Sequence, residues 1–290
     1  MKRLLLIMLF LVPFLSGADT QDNAVKTICR NTPVYVHIQS VDFDNSDADK
    51  TSSSAFGSAA HRGITKSFMN DPMVAEIIEG ALKDAFGRVE RAVICSEMPG
   101  KGDLEDGNIH VAVTCRIKSV TSTVEERRDG VSWGGVWGSL KLHLLVKDLA
   151  DGHVYYSDNI VSEGRSNGGF NINLSSVEDA SARMSSFLAE DLRSIFPIAG
   201  IVAGKFTGTS PKSCIVVSLG STDNVYSGGM STYRVAKVVM TDDSFKLVEI
   251  GSGYIYEVIS NKSSLFRISV GEKAVMEAIA GGERLVVRAK

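Results

Sequence analysis

Two stretches of the chain, IHVAVTCRI at 109–117 and LKLHLLVKD at 140–148, carry an apolar side chain at every second position. Such alternation belongs to a β-strand with one face toward a core, because successive side chains leave a strand on opposite sides. Ile109, Val111, Val113, Cys115 and Ile117 share one flank, and Leu140, Leu142, Leu144 and Val146 share a flank of the return strand. Setting Val111 against Val146 and Ile117 against Leu140 puts the turn at EERRDG, residues 125–130, and predicts a long two-legged ribbon. Carried outward, this register places Val120 opposite Trp137 and Val124 opposite Trp133, all four on the reverse side of the ribbon. A cross-strand Val and Trp cluster needs a cover. Aromatic anchors on a projecting ribbon suit a protein interface, so Trp133, Trp137, Val120 and Val124 are the candidate partner-binding residues, with burial under the chain's own insertion as the alternative.

The surrounding segments complete a layer. PVYVHIQSVDF reads as a strand with Val34, Val36 and Ile38 on one face, and the polar passage from Asn45 to Ser67 reads as a flexible insertion. Asp71 and Pro72 open a helix, since the aspartate accepts from exposed amides and proline suits the first turn. Val74, Ile77, Ile78, Ala81, Leu82 and Ala85 form its buried stripe, and Gly87 ends it. VERAVIC is a short strand. Asp151 and Gly152 make a hairpin turn into VYYSDNIVSEG. A second helix follows, with Ser175 and Glu178 as a capping box and Val177, Ala180, Met184, Phe187, Leu188 and Ile195 as its stripe. The predicted fold class is therefore α+β: a mainly antiparallel sheet with two helices on one face, followed by a small SH3-like β-barrel domain. The barrel strands are SCIVVSLG, STYRVAKVVM, FKLVEIGSGYIYEVIS, SLFRISV and RLVVRAK, and EKAVMEAIAG fits either a short helix or an irregular strand.

Residues 1–18 carry Lys2 and Arg3, an apolar run from Leu4 to Leu15, and then Ser16, Gly17 and Ala18. That pattern reads as a cleaved export signal, and the run is too short to span a bilayer. The predicted organisation is a signal peptide at 1–18, an amino-terminal extension at 19–29, the α+β domain at 30–197 and the barrel at 198–290. Cys29, Cys95, Cys115 and Cys214 allow three pairings in an oxidising compartment, and spacing does not choose among them. With 31 basic and 34 acidic residues, the net charge of −3 supplies no global field for nucleic acid. No further segment reads as a transmembrane helix.

GALKDAFGRVERAVI and LKLHLLVKDLADGHVYYSDNIVSEGRS, with the pattern D-x-x-D-G-x-x-x-Y-S from Asp148 to Ser157, resemble the periplasmic domain of the curli secretion lipoprotein family. The segment is also similar to the amino-terminal domain of the Tol-Pal translocation protein and to lipoprotein activators of cell-wall synthases. Gly220, Ser221, Asp223, Val225 and Gly228 match a turn of the carboxy-terminal barrel of flagellar assembly protein T, with Asn224 where that family has glycine. These resemblances imply an exported protein, periplasmic or associated with the outer membrane.

SLGSTDNVYSGGM, residues 218–230, lacks the lysine, hydroxyl and helix that a phosphate loop requires after its last glycine. It reads as a turn: Asp223 hydrogen-bonds its own backbone, Asn224 takes the left-handed conformation, and Gly228 or Gly229 reverses the chain. His37, His61, His110, His143 and His153 lack metal-ligand spacing, and His37 and His143 fall on the outer face of a sheet. Asp42, Asp44, Asp47 and Asp49 lack the central glycine and distal glutamate of a calcium loop. GRSNGG at 164–169 reads as a connection. No catalytic, cofactor or metal site is expected. The expected function is a non-catalytic envelope protein binding other proteins in an assembly or secretion apparatus, with self-association included. A regulator of a cell-wall synthase or of peptidoglycan is the alternative, and a small-molecule-binding or hydrolytic protein the third.

Overall fold

The computed structural model of the protein describes residues 21–44, 63–105, 107–125, 135–166, 172–208, 213–228, 231–241 and 244–289. The expected signal at 1–18, most of the insertion and residues 126–130 of the EERRDG tip lie outside them. The chain divides into two units, one of residues 33–195 and one that joins the amino-terminal segment through Thr32 to residues 196–290.

In the 33–195 unit, β1 (Val34–Phe43) is followed by β2 (Gly63–Ser67), helix α2 (Pro72–Gly87), β3 (Ala92–Cys95), β4 (Ile109–Glu125), β5 (Val136–Asp148), β6 (Val154–Ser166) and helix α3 (Ile172–Ile195). The sheet runs β3-β1-β4-β5-β6, with β2 paired to the outer half of β4. It is mixed, since β1 is parallel to both β3 and β4 while β4, β5, β6 and β2 pair antiparallel. A helix returns the chain between β1 and β3, as parallel neighbours require. The end of the expected insertion is thus strand β2 rather than connection.

Asp71 caps α2 by accepting from the Met73 amide at 3.0 Å. Val74, Ile78, Leu82, Ala85 and Phe86 are its buried face. Helix α3 starts at Ile172, so Ser175 and Glu178 sit inside it and form no capping box. Its buried stripe is Val177, Ala180, Met184, Leu188 and Leu192, whereas Phe187 is 61 % exposed. Between the helices, Asp84 accepts from Arg88 and from Ser185, each at 2.6 Å, and the Ser185 hydroxyl first, then Arg88, holds its carboxyl below the usual range.

The register of the ribbon differs from the expected one. Val113 pairs with Val146, Cys115 with Leu144 and Ile117 with Leu142, two positions away from the predicted pairing. A bulge between Ile117 and Ser119 then shifts the ladder, so that Val120 lies opposite Leu140, Thr123 opposite Trp137 and Val124 opposite Val136. An extra residue in one strand turns its later side chains over relative to simple alternation. Val120, fully buried, therefore faces the same core as Ile117.

Helix α3 lies against this core at a window without side chains. Gly138 on β5 pairs with Gly164 on β6, and Ser122 on β4 completes the row. A Cβ at Gly138 would sit 2.2 Å from the Ser176 carbonyl oxygen, and one at Gly164 2.1 Å from the Ala180 nitrogen. Ser162 donates to the Ala180 carbonyl at 2.7 Å, and Ser176 donates to Ser122 at 3.2 Å.

In the other unit, residues 21–28 form helix α1. Six strands close an antiparallel ring in the order β10-β11-β8-β7-β12-β9: β7 (Ala199–Lys205), β8 (Cys214–Val217), β9 (Tyr233–Met240), β10 (Phe245–Ser260), β11 (Ser263–Val270) and β12 (Leu285–Ala289). The lead-in IAGIVAGK supplies β7, and EKAVMEAIA is helix α4 (Glu272–Ala280). Ile215, Val217, Tyr233, Val235, Ile255, Phe266, Leu285 and Val287 fill the ring, with Val275 of α4 packed among them. On the outside, Ala24 and Val25 of α1 cover Ala236, Val238 and Val286. Asp22 pairs with Arg284, Gln21 donates to the Val238 carbonyl, and Asn31 both accepts from the Ala199 amide and donates to Asp223. The 218–228 turn is built as read: Asp223 accepts from the Gly220 amide at 3.0 Å, Asn224 has φ 53°, and Gly228 has φ 113°.

All four cysteines are thiols. Burial, with the Asp42 carboxylate adding to it, pushes Cys115 up to about 12. Burial pushes Tyr155 and Tyr156 in the same unit to about 12. In the unfolded chain these groups ionise at their ordinary lower values, so the stability they contribute is complete below about pH 9 and is lost as pH rises toward 12. The urea midpoint of the 33–195 unit is expected to fall steeply between pH 9 and 12. Cys115→Ala flattens that fall while lowering the midpoint at neutral pH; an unchanged slope would refute the role of this thiol.

Candidate functional site: the helix-free face of the sheet

Both helices pack on one side of the 33–195 sheet. Even-numbered residues of β5 and β6 from Val136 and Ile160 onward face them, and odd-numbered residues form the opposite face. On β4 the bulge changes parity, so Thr114, Arg116, Lys118, Ser119, Thr121 and Thr123 all belong to this helix-free face.

One end of the face is closed by the chain after β3. His37 and His110, 4 % and 6 % exposed, lie there beside Tyr35, whose ring stacks on His110 at 4.8 Å. Nδ1 of His37 is 2.6 Å from the Glu97 carbonyl oxygen, and its Nε2 is 3.2 Å from Nδ1 of His110. A carbonyl only accepts, so His37 donates from Nδ1, while its Nε2 and His110 Nδ1 share the second hydrogen bond. His37 is thus on the predicted side of the sheet but buried, a structural imidazole.

Further along, Arg116, Lys141, Val161 and Arg165 are exposed, while Thr123 is buried. Trp137, half-buried, stands opposite Thr123 and Arg165, with the Arg165 guanidinium 5.2 Å from its ring centroid. Thr65 and Thr123 share a hydrogen bond of 3.0 Å. Lys141 stands between Ser119 and Val161, and Val161 is 59 % exposed. In the next row Arg116, His143 and Asn159 line up across three strands. Lys118 reaches across to Asn159 Oδ1 at 2.7 Å, and His143 Nε2 lies 3.3 Å from the Ser157 hydroxyl. Lys147 extends the series along β5.

Of the predicted partner-binding residues, Trp137 is on this face, while Val120 and Val124 are on the opposite, helix-covered one. Trp133 lies outside the described residues. The expected Val and Trp cluster is therefore not assembled from Val120 and Val124. Arg165 accompanies Trp137, and the cations Lys141, Lys118 and Arg116 lie progressively further along the same face. Their signal is present in CRIKS and LKLHLLVK: basic residues at alternate positions of strands whose other positions are apolar. Among the described residues, no group of three or more His, Cys, Asp or Glu side chains could hold a metal ion, and no helix is long and apolar enough to cross a membrane.

No protein-family model matches the chain, and no curated protein matches it. Solved structures share distant likeness. A hypothetical protein from Chlamydia trachomatis is 10 % identical with a TM-score of 0.30, covering 57 % of this chain and 96 % of that one. A Xanthomonas campestris protein of family DUF330 is 10 % identical at a TM-score of 0.32, over 55 % and 81 %. The PelC dodecamer of Paraburkholderia phytofirmans is 14 % identical at 0.27, over 55 % and 90 %. These likenesses assign the chain to no specific family, and the curli-secretion and flagellar assignments gain no support.

Proposed function

We propose that the chain is an exported, non-catalytic protein of the cell envelope that binds other proteins of an assembly or secretion apparatus through the helix-free face of its sheet. The observation that carries this reading is the face itself: a three-strand surface that exposes Arg165, Lys141 and Val161 beside the half-buried Trp137, backed by a helix-packed core. Display of a tryptophan and an arginine on a sheet suits recognition, because both residue types are enriched at the centres of interfaces and the tryptophan has little side-chain freedom to lose. The apolar run Leu4–Leu15 supports the exported compartment.

A photo-crosslinking amino acid placed at Ser139 or Val161, in the native host, tests the proposal against the same group at Lys83 or Arg183 on the exposed helices. Adducts of defined protein mass are expected from the sheet positions, diminished when Trp137 and Arg165 are both alanine, and absent from the helix positions. A second copy of the chain counts as such a protein. Equal labelling from both faces, or none from the sheet, overturns the reading.

A further inference from the structure

We propose that the partner surface taken by the helix-free face is acidic, and that Arg116, Lys118 and Lys141 are the residues that select it. The inference rests on the docking role given to this face above and adds the chemistry of its occupant: an acidic polypeptide segment.

Among the described residues, some cations elsewhere in the molecule are paired and others, such as Lys26, Lys246 and Lys262, are not, so it is their gathering on one surface that sets those of the helix-free face apart. Arg88 pairs with Asp84, Arg183 with Asp179, Arg193 with Glu90, Arg234 with Glu249, Lys237 with Glu283 and Arg284 with Asp22. On the helix-free face, Arg116, Lys118, Lys141, Lys147 and Arg165 form no ion pair among the described residues. Only Lys118 has a side-chain hydrogen bond, to the neutral amide of Asn159. Among the described side chains, three carboxylates follow the alternation of this face: Asp42 beside Arg116, Asp44 two residues further on, and Glu163 two residues from Arg165. A chain of net charge −3 thus gathers unpaired positive charge on one sheet surface.

That arrangement works against the fold. Residues two apart on a strand are about 7 Å apart, and neighbouring strands lie about 4.8 Å apart, so Arg116, Lys118 and Lys141 repel one another across adjacent rows. A carboxylate-bearing segment laid over β4 and β5 relieves this repulsion and meets the donors that point outward. The serine and threonine hydroxyls alongside, Thr114, Ser119, Thr121 and Ser139, hydrogen-bond a peptide backbone without bringing charge of their own. A polypeptide is favoured over an anionic lipid surface because the patch lies on the flat of a sheet and carries no apolar wedge apart from Val161 and the half-buried Trp137.

The test uses purified protein and a fluorescent peptide of alternating glutamate and aspartate, with its glutamine and asparagine counterpart and phosphatidylglycerol vesicles as comparison probes. The acidic peptide is expected to bind, its neutral counterpart not, and high salt to abolish binding. The triple variant Arg116→Gln, Lys118→Gln, Lys141→Gln is expected to weaken binding roughly tenfold, the combined loss of three exposed charge contacts. Its melting temperature stays at or above that of the wild type, because repulsion has been removed. Arg88→Gln, Arg183→Gln, Arg234→Gln, which removes cations already paired, leaves binding within about twofold. Equal binding by the first variant, equal loss in the second, or binding to vesicles but not peptide each overturns the inference. Crosslinks from Val161 without peptide binding would overturn the acidic partner while leaving the docking role; peptide binding through these three residues without crosslinks would do the reverse.

Discussion

Gly138→Ala is expected to unfold the 33–195 unit far below the wild-type urea midpoint, with a loss of roughly 3 kcal/mol or more. The new methyl carbon would lie 2.2 Å from the Ser176 carbonyl oxygen and 2.4 Å from its carbon, which are backbone atoms of a helix and cannot rotate aside. Helix α3 would have to lift, and with it Val177, Ala180 and Met184 would leave a core in which each is fully buried. Gly164→Ala meets the Ala180 nitrogen at 2.1 Å and is expected to do the same. Because both methyl groups push the same helix turn, the double variant loses less than the sum. Gly80→Ala is the counterexample: in mid-helix α2 with nothing within 4 Å, it gains about 0.5–1 kcal/mol from lower chain entropy and better propensity. Both tryptophans of the chain fall in this unit, so their fluorescence reports its unfolding alone. A wild-type midpoint for Gly138→Ala would show that the helix does not rest on the glycine row.

That row is also where reading the sequence reached its limit. Alternation on β5 is unbroken, and Leu140, Leu142, Leu144 and Val146 point where their spacing says they should. The pairing partner is a different matter, because a ladder that slips by two residues leaves every side chain on its original face. Apolar pattern alone could not distinguish Val111 against Val146 from the observed Val113 against Val146. The bulge at Lys118 adds an odd residue, and that is why Val120 and Val124 turned toward the helices while Trp137 did not. A bulge leaves no mark in composition here: Lys118 is neither glycine nor proline. Gly138 and Gly164 were equally silent, since a glycine in a strand fits a turn as readily as a close approach. Parallel insertion of β1 between β3 and β4 depends on contacts far apart in the chain, which local periodicity does not encode.

The helices were plainer. Asp71 and Pro72 do what their chemistry requires, and Val74, Ile78, Leu82 and Ala85 lie where a 3.6-residue period places them. Phe187 belongs to the apolar stripe of α3 by spacing, yet it is exposed while Met184, Leu188 and Leu192 on either side of it along the helix are buried, so it lies on the outer flank of the stripe. Residues 21–28 carry their own signal in Ala24, Val25 and Ile28, but a helix this short acquires meaning only from the strands it covers, Ala236, Val238 and Val286. On the helix-free face, Trp137 stood out as an aromatic, whereas Arg116 and Lys141 looked like the ordinary solvent side of an amphipathic strand. What separates them from ordinary is that the bulge and the strand pairing gather them with Lys118 on one surface, a property of neighbours rather than of local sequence.

Glu90→Gln is expected to cost about 3–5 kcal/mol, the second large effect. Glu90 lies between α2 and β3, and both of its carboxylate oxygens accept from the guanidinium of Arg193 in the last turn of α3, one from Nε at 3.0 Å and the other from Nη2. Their side chains are 7 % and 14 % exposed, so this is a charge pair held largely out of water. Such a pair is worth little against an apolar substitute, yet removing one partner takes from the other a counter-charge that water replaces poorly at this burial. Glutamine keeps the shape while withdrawing the charge and turning an amide donor toward a group that only donates. Loss in Glu90→Gln should therefore exceed that in Arg88→Gln, whose exposed pair with Asp84 contributes only about 0.2–1 kcal/mol. The decisive comparison is Glu90→Leu combined with Arg193→Met: recovery of most of the stability would show that the penalty belongs to the orphaned charge, and an additive loss would show that the two side chains act through separate contacts.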